Sequence, residues 1–95
     1  MIRIVVKEQI KSGTKEQVLE LFREMVEATR KEEGNVLFTL NESIDDPNTL
    51  SIIEAWEDER FIDAHRESEH SKRLLPQLGQ HLAAPSRVEI YKELL

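Results

Sequence analysis

Hydrophobic residues recur along this chain with two spacings, and the change between them marks the predicted elements. β-Branched residues dominate residues 2–10, which favours a β-strand. After the turn Lys11-Ser12-Gly13, apolar side chains return every three or four positions, which predicts an amphipathic helix. Thr14, with Gln17 three residues on, fits a capping box at the start of this helix, and Gly34 fits its end. The predicted inner face contains Val18, Leu21, Phe22, Met25, Val26 and Thr29.

The middle of the chain predicts two further strands joined as a hairpin. Residues 36–43 and residues 50–57 are both rich in apolar side chains, and the turn cluster Asp45-Asp46-Pro47-Asn48 separates them. Because this connection is short, the two strands are predicted to be antiparallel. The first of them has apolar residues on both of its faces, so neither face is expected to be fully exposed.

The last third of the chain predicts an interrupted helix and a final strand over residues 87–94. Asp58 is a plausible cap for one helix, and Ser68 can interrupt that helix and cap a second one. Pro76 lacks a backbone donor, so it should kink or restart the second helix near Leu75. The apolar stripe of this second helix contains Leu74, Leu75, Leu78 and Leu82.

The resulting order, β-α-β-β-α-β, predicts an α+β fold of the ferredoxin-like type, formed by residues 1–95 as a single domain. In that arrangement a four-stranded antiparallel sheet has its helices on one face. The strands also have apolar residues on the face without helices, and that surface needs a cover. A second copy of the sheet is the simplest cover, so we expect a homodimer packed sheet to sheet.

Composition narrows the class of function. The chain has 95 residues with 19 acidic and 13 basic side chains, a net charge of −6, which disfavours nucleic acid and anionic membrane as partners. It has no cysteine, which excludes a disulfide, a thiol nucleophile and a cysteine-bound metal. No segment approaches the roughly 20 apolar residues of a membrane span, and Met1–Ile10 lacks the apolar run of a signal peptide. We therefore expect a cytoplasmic protein that acts on a small molecule.

The candidate chemistry lies where the third strand meets the helices after it. Trp56 ends the predicted strand, and His65 and His70 follow, so the three side chains could line one cavity. His70 is the first candidate for a catalytic base, because an imidazole titrates near neutral pH. Trp56 could stack on a planar substrate and donate its indole N–H, and His65 is the second candidate base. The alternatives are a helix-capping or exposed His70, a core Trp56 and a partly buried, non-functional His65.

Three more residues are candidates for substrate contacts. Asn41 and Glu54 are polar residues on predicted inner strands, and Phe22 belongs to the first helix. Asn41 could equally face outward, Glu54 could pair with a base, and Phe22 could be a core residue. A metal site is not expected, because His65 and His70 are five residues apart, which does not suit one helical face, and no third ligand is evident.

Several segments, in their order and spacing, are together typical of one superfamily. They are Glu32-Glu33-Gly34-Asn35, the hairpin Asp46-Pro47, the strand end Glu54-Ala55-Trp56-Glu57-Asp58, and the pair His65 and His70. Over nearly the whole chain the sequence resembles the antibiotic biosynthesis monooxygenase superfamily, the dimeric α+β barrels. The resemblance implies a dimeric α/β barrel that oxidises a small aromatic or quinol-type substrate. It also implies dioxygen as the co-substrate, no cofactor, and a histidine as the general base.

The superfamily contains other activities, and the residues bear on each. The Glu-Glu-Gly-Asn segment and the His65-x4-His70-x-Lys72 segment look most like an autoinducer-2 phosphate isomerase branch, in which a tyrosine replaces Trp56. In that case the substrate is a small phosphorylated carbonyl compound, and Lys72 and Arg73 could meet its phosphate. The haem-degrading branch is disfavoured, because its early asparagine is absent from Val5-Val6-Lys7. Quinone-forming members have an asparagine at the position of Ile52. A third hypothesis is a ligand-binding dimer without catalysis.

Overall fold

The sheet has the strand order that the ferredoxin-like arrangement requires. A computed structural model describes all residues, 1–95. Its elements are β1 (Ile2–Gln9), α1 (Lys15–Arg30), β2 (Asn35–Glu42), β3 (Thr49–Trp56), α2 (Glu59–Arg66), α3 (Glu69–Gly79) and β4 (Arg87–Lys92). The strands form one sheet in the order β2-β3-β1-β4, and every neighbouring pair is antiparallel. The predicted α+β class, element order and hairpin are therefore confirmed.

The alternation of side chains along the strands separates the sheet into two faces. Ile4 lies opposite Glu54 and Val6 lies opposite Ile52, and these residues point to the side that the helices cover. The main core on this side is built by α1, α3, β2 and β3, together with Ile10 just after β1. Its buried members are Ile10, Val18, Phe22, Met25, Phe38, Leu50, Ile52, Leu74 and Leu78. A smaller cluster of Ile4, Trp56 and Ile62 continues this core beneath α2.

The apolar face of α1 is as predicted, but its cap is not. Val18, Phe22, Met25 and Thr29 are buried. The prediction of a capping box at Thr14 and Gln17 is wrong, since the Thr14 side chain makes no cap bond. Thr14 has φ −106° and ψ 4° rather than the extended backbone of a capping residue. Its hydroxyl donates instead to the Lys11 carbonyl in the preceding turn, at 2.7 Å.

The interruption between α2 and α3 follows the two caps predicted from the sequence. Asp58 accepts a hydrogen bond from the Arg60 backbone N–H at 2.9 Å. Ser68 accepts one from the Ser71 N–H at 3.3 Å and donates its hydroxyl to the His65 carbonyl at 2.6 Å. The Ser68 side chain therefore joins the end of α2 to the start of α3 and fixes the direction in which the second helix leaves.

The helix does not restart at Pro76, because α3 continues without a break to Gly79. Pro76 lies in the second half of this short helix, and the N–H that it lacks would have bonded to the Lys72 carbonyl. Lys72 is exposed, so water can satisfy that carbonyl. Leu75 is also not part of the buried stripe, since it is 49% exposed while Leu74 and Leu78 are buried.

The sheet face opposite the helices retains apolar side chains at the surface. Leu37 and Ile53 are each 37% exposed there, and Tyr91 is 50% exposed. Every residue of β4 is exposed, including Val88 and Ile90 on the helix side. None of the three helices combines the length and the apolar character that a membrane span requires.

Of the three glycines, Gly34 is the one where a side chain would meet the least space. Its φ of +82° is left-handed, and a Cβ built there would lie 2.2 Å from the Phe61 ring. Gly13 has a similar φ of +84° but open space around it. Gly13→Ala should therefore cost only the backbone strain, about 1–2 kcal/mol. Gly34→Ala should cost that strain plus overpacking, a total of about 2–5 kcal/mol in urea denaturation. Equal losses in the two variants would show that Phe61 does not confine Gly34.

Candidate functional site

An apolar cavity of about 250 Å³ lies between the sheet and the helices. Nine of its 14 lining residues are hydrophobic, and they come from the strands and from all three helices. Among them, Ile4, Val6, Ile52 and Phe38 belong to the sheet and Phe22 and Met25 belong to α1. The polar residues of the wall are Glu8, Glu54, His65, Arg66 and Ser86.

His65 is the histidine that borders this cavity. It lies in the last turn of α2, and its ring centre is 5.0 Å from that of Trp56 and 5.8 Å from that of Phe38. Its Nδ1 lies 2.6 Å from Oε2 of Glu32. A carboxylate only accepts hydrogen bonds, so Nδ1 donates and Nε2 of a neutral ring is left as the acceptor. The hydroxyl of Ser71 lies 3.5 Å from that Nε2.

His70 lies beside the same carboxylate but is not among the residues that line the cavity. Its Nε2 is 2.9 Å from Oε2 of Glu32 and 3.3 Å from the Ser68 hydroxyl. One carboxylate oxygen therefore accepts from both histidines. The three side chains are largely shielded from solvent, with exposures of 12% for His65, 14% for His70 and 15% for Glu32. The interruption at Ser68 is what brings the first turn of α3 back beside the end of α2.

Glu32 is the member of this group that the sequence analysis did not single out. The prediction that no third ligand accompanies the histidines is wrong, because nitrogen or oxygen atoms of Glu32, His65 and His70 all lie within 4.8 Å of one another. Glu32 lies just after α1 and 33 residues before His65 in the sequence. No local spacing pattern therefore indicates that the two side chains are in contact. Its one signal in the sequence was its place in the Glu-Glu-Gly-Asn segment before the second strand.

Trp56 and Glu54 form a buried pair on β3. Trp56 is fully buried and is not among the cavity-lining residues. Its indole N–H donates to Oε1 of Glu54 at 2.9 Å, so the protein itself uses this donor. Glu54 lines the cavity and is 6% exposed. Burial raises the pKa of the Glu54 carboxyl above its usual value near 4.5, while the Trp56 hydrogen bond opposes that rise.

Glu8 is a second buried carboxyl in the cavity wall, and the sequence analysis did not identify it. It is 3% exposed and accepts a 2.6 Å hydrogen bond from the Ser86 hydroxyl. Burial raises the pKa of Glu8, and the Ser86 hydrogen bond lowers it by a smaller amount. The available signal was alternation, because Ile4, Val6 and Glu8 share one face of β1.

The other two predicted contact residues lie in different places. Phe22 is 3% exposed and lines the cavity from α1. Asn41 lies on the opposite sheet face, since it pairs with Ser51 whereas the neighbouring Leu40 pairs with Ile52 on the core side. The Asn41 amide donates to the Ser51 carbonyl at 3.3 Å and to the Thr39 hydroxyl at 3.1 Å. Asn41 therefore does not contact the cavity.

The cationic side chains near the histidines are mostly held by carboxylates. Lys72 pairs with Glu67 at 2.6 Å, and Arg73 pairs with both Glu24 and Glu69. Among the lysines and arginines, only Arg66 lines the cavity. A wider depression of about 740 Å³ lies on the outside of α1, next to β2, and no histidine lines it.

A four-stranded antiparallel sheet in the order β2-β3-β1-β4, with the helices on one face, defines a small α+β domain of the ferredoxin-like class. The comparisons with known proteins give the family. The chain belongs to the antibiotic biosynthesis monooxygenase family, whose sequence pattern matches residues 1–77.

Individual relatives agree with that assignment. The Bacillus subtilis protein "Putative monooxygenase YcnE" is 30% identical over 77 residues, which is 81% of either chain. A conserved protein from Methanosarcina mazei Go1 has the same fold with a TM-score of 0.96 and 31% identity, over 98% of this chain and 92% of that one. A crystal structure described as an antibiotic biosynthesis monooxygenase gives a TM-score of 0.95 and 30% identity, with both chains fully covered.

The burial of Glu8 leads to a prediction about stability and pH. The raised pKa means that the folded protein holds the proton of the Glu8 carboxyl more tightly than the unfolded chain does. The contribution of this proton to stability is therefore present at low pH. It is lost as the pH rises from about 4.5 through the pKa that Glu8 has in the folded protein. Glu8→Gln has no carboxyl to ionise, so it avoids this loss of stability. Its side-chain oxygen can still accept the hydrogen bond from the Ser86 hydroxyl. The free energy of unfolding of the variant, relative to the parent, should therefore increase as pH is raised from 4 to about 8, as measured by urea denaturation.

Glu33→Gln is the matched control, since Glu33 is exposed and should show no such trend. A difference between Glu8→Gln and the parent that stays constant or decreases with rising pH would contradict a raised pKa at Glu8.

Proposed function

We propose that this protein is a cofactor-independent monooxygenase of a small aromatic or quinol-type substrate, with dioxygen as co-substrate and a histidine as general base. The observation that supports it best is an apolar cavity whose wall contains a histidine held by a carboxylate. Membership of the monooxygenase family supports the reaction type.

His65 is the base that the contacts favour. It borders the cavity, whereas His70, the first candidate from the sequence, does not. The Glu32 carboxylate at 2.6 Å from Nδ1 fixes the ring orientation and stabilises the imidazolium that forms when Nε2 takes a proton. His70 donates to the same oxygen at 2.9 Å and so adjusts how strongly Glu32 can stabilise that cation.

The reaction needs only a proton acceptor and a substrate that can give up electrons. His65 removes a proton from an acidic O–H or activated C–H, and the resulting electron-rich anion reduces dioxygen directly. One oxygen atom enters the substrate and the other leaves as water, as when a ring CH₂ and O₂ become C=O and H₂O. The substrate supplies all four electrons that reduce the two oxygen atoms, so no added reductant is required.

The cavity favours an uncharged aromatic substrate over a phosphorylated one. An apolar cavity of about 150 Å³ can hold benzene, so a volume of about 250 Å³ suits a ligand of one or two rings. Arg66 is the one cation in the wall, and the ion pairs of Lys72 and Arg73 occupy the groups that a phosphate would need. These contacts favour the oxygenase over the isomerase of a phosphorylated carbonyl compound.

The proposed assembly is a homodimer formed through the sheet face that lacks helices, as in a dimeric α/β barrel. Ile53 lies near the centre of that face on β3, and Leu37 and Tyr91 flank it on β2 and β4. All three are more than one-third exposed in the single chain. A second copy is the partner that would cover them by symmetry.

Oxygen uptake by the metal-free protein, measured with an electrode against hydroquinones and anthrones, tests the reaction. The parent should consume oxygen above the rate without enzyme. His65→Ala should lower kcat about 10²–10⁴-fold, the usual contribution of a general base. His70→Ala should have a smaller effect, about tenfold, because Glu32 remains to orient His65.

His81→Ala is the matched control, since this third histidine lies beyond α3 and away from the cavity. Circular dichroism would confirm that each variant is folded. Uptake that survives His65→Ala but is lost in His70→Ala would move the base to His70. No uptake above the blank on any substrate would count against an oxygenase.

The dimer is tested separately by sedimentation equilibrium. Ile53→Asp would place a carboxylate in the interface twice, once from each subunit, so the dimer should dissociate at least about 100-fold more readily. Ile44→Asp is the control, because Ile44 is fully exposed in the β2–β3 turn. A monomeric parent, or an Ile53→Asp protein that dimerises as well as the parent, would argue against this interface.

A further inference from the structure

We propose that Glu32, His65 and His70 form a binding site for a divalent first-row transition-metal ion. This inference does not rest on the proposed oxygenase activity. The ion would bind Nδ1 of His65, which leaves the proton on Nε2, the nitrogen that the proposed base uses. Metal binding and oxygen uptake are therefore two properties of this group that can be measured separately.

The chemistry of the three side chains is that of known metal ligands. Two imidazoles and one carboxylate form the protein ligand set of several catalytic zinc sites and of non-haem iron sites. Nδ1 of His65, Nε2 of His70 and Oε2 of Glu32 all approach one point, with the two nitrogens 2.6 Å and 2.9 Å from the oxygen. Such a set leaves at least one coordination position free for water or another ligand.

The spacing of the ligand atoms is close to what a metal needs. Bonds of about 2.0–2.2 Å to nitrogen and oxygen place neighbouring ligands about 3.0–3.5 Å apart. The present separations from Oε2 are shorter by about half an ångström, as expected where hydrogen bonds join the atoms directly. An ion that replaces the two hydrogen-bonded protons would require the ligand atoms to move apart by about that distance.

The three ligands come from separate elements that hold them in position. Glu32 follows α1, His65 ends α2, and His70 lies in the first turn of α3. The left-handed turn at Gly34 and the Ser68 cap between α2 and α3 fix these elements relative to one another. A site built in this way is organised before the ion arrives.

A second layer of contacts is also present. When Nδ1 of His65 binds a metal, its Nε2 carries the remaining proton and needs an acceptor. The buried hydroxyl of Ser71 lies 3.5 Å from that nitrogen. The protein has an excess of acidic side chains, 19 against 13, which also favours a cation.

Titration calorimetry of the protein stripped with EDTA and given zinc or nickel chloride is the direct test. We expect one ion per chain and a rise in the melting temperature with added metal. Copper(II) bound at the site should show nitrogen hyperfine coupling in its electron paramagnetic resonance spectrum. Glu32→Gln and His70→Ala should each weaken binding at least about 100-fold, while His81→Ala should bind as the parent does.

His70→Gln serves as a second variant if His70→Ala does not fold, as judged by circular dichroism without metal. The proposal is overturned if the parent binds no ion below about 100 µM. It is also overturned if binding is unchanged in Glu32→Gln and in the histidine variants, or if it is lost in His81→Ala. Metal binding without oxygen uptake would support this site and count against the oxygenase alone. Oxygen uptake without metal binding would support the oxygenase and overturn the metal site.

Discussion

One carboxylate oxygen joins the two histidines of the candidate site. Oε2 of Glu32 accepts from His65 and from His70, so it joins the segment after α1 to the end of α2 and the start of α3. A carboxylate this well shielded is costly unless it is paired, so each histidine compensates the burial of Glu32. Glu32 in return selects which ring nitrogens bear protons. The position of α2 relative to α1 and α3 is therefore tied to this pair of hydrogen bonds.

The cavity combines an apolar wall with two carboxyls that resist ionisation. Glu54 and Glu8 each keep one hydrogen bond, from Trp56 and from Ser86 respectively. The raised pKa of each carboxyl favours its neutral form, and a neutral acid can donate a hydrogen bond as well as accept one. A ligand in the cavity would thus meet polar groups at two points along the strands, although most of its surroundings are hydrocarbon.

The sequence predicted those features that depend on near neighbours. The spacing of Val18, Phe22 and Met25 was enough to find the inner face of α1, and Asp58 and Ser68 were enough to place two helix starts. These signals are local, because each side chain acts on backbone within one or two turns.

Features that depend on the packing of distant segments could not be predicted in the same way. The contact of Glu32 with His70 spans 38 residues and exists only because α3 turns back at Ser68. The sequence located Trp56 at the end of its strand, but it did not show where the indole N–H points. That N–H donates a hydrogen bond to Glu54, two residues earlier on the same strand. Leu75 appeared equivalent to Leu74, yet a rotation of one residue around α3 moves it out of the core.

The exposure of β4 has a consequence for the motion of the protein. This edge strand pairs only with β1, and none of its six residues is buried, although Val88 contributes to the cavity wall. Few buried contacts oppose its local separation from the sheet, so its amide protons should exchange with solvent sooner than those of β3. Because Val88 belongs to the cavity wall, each such opening would widen the access of solvent to the cavity.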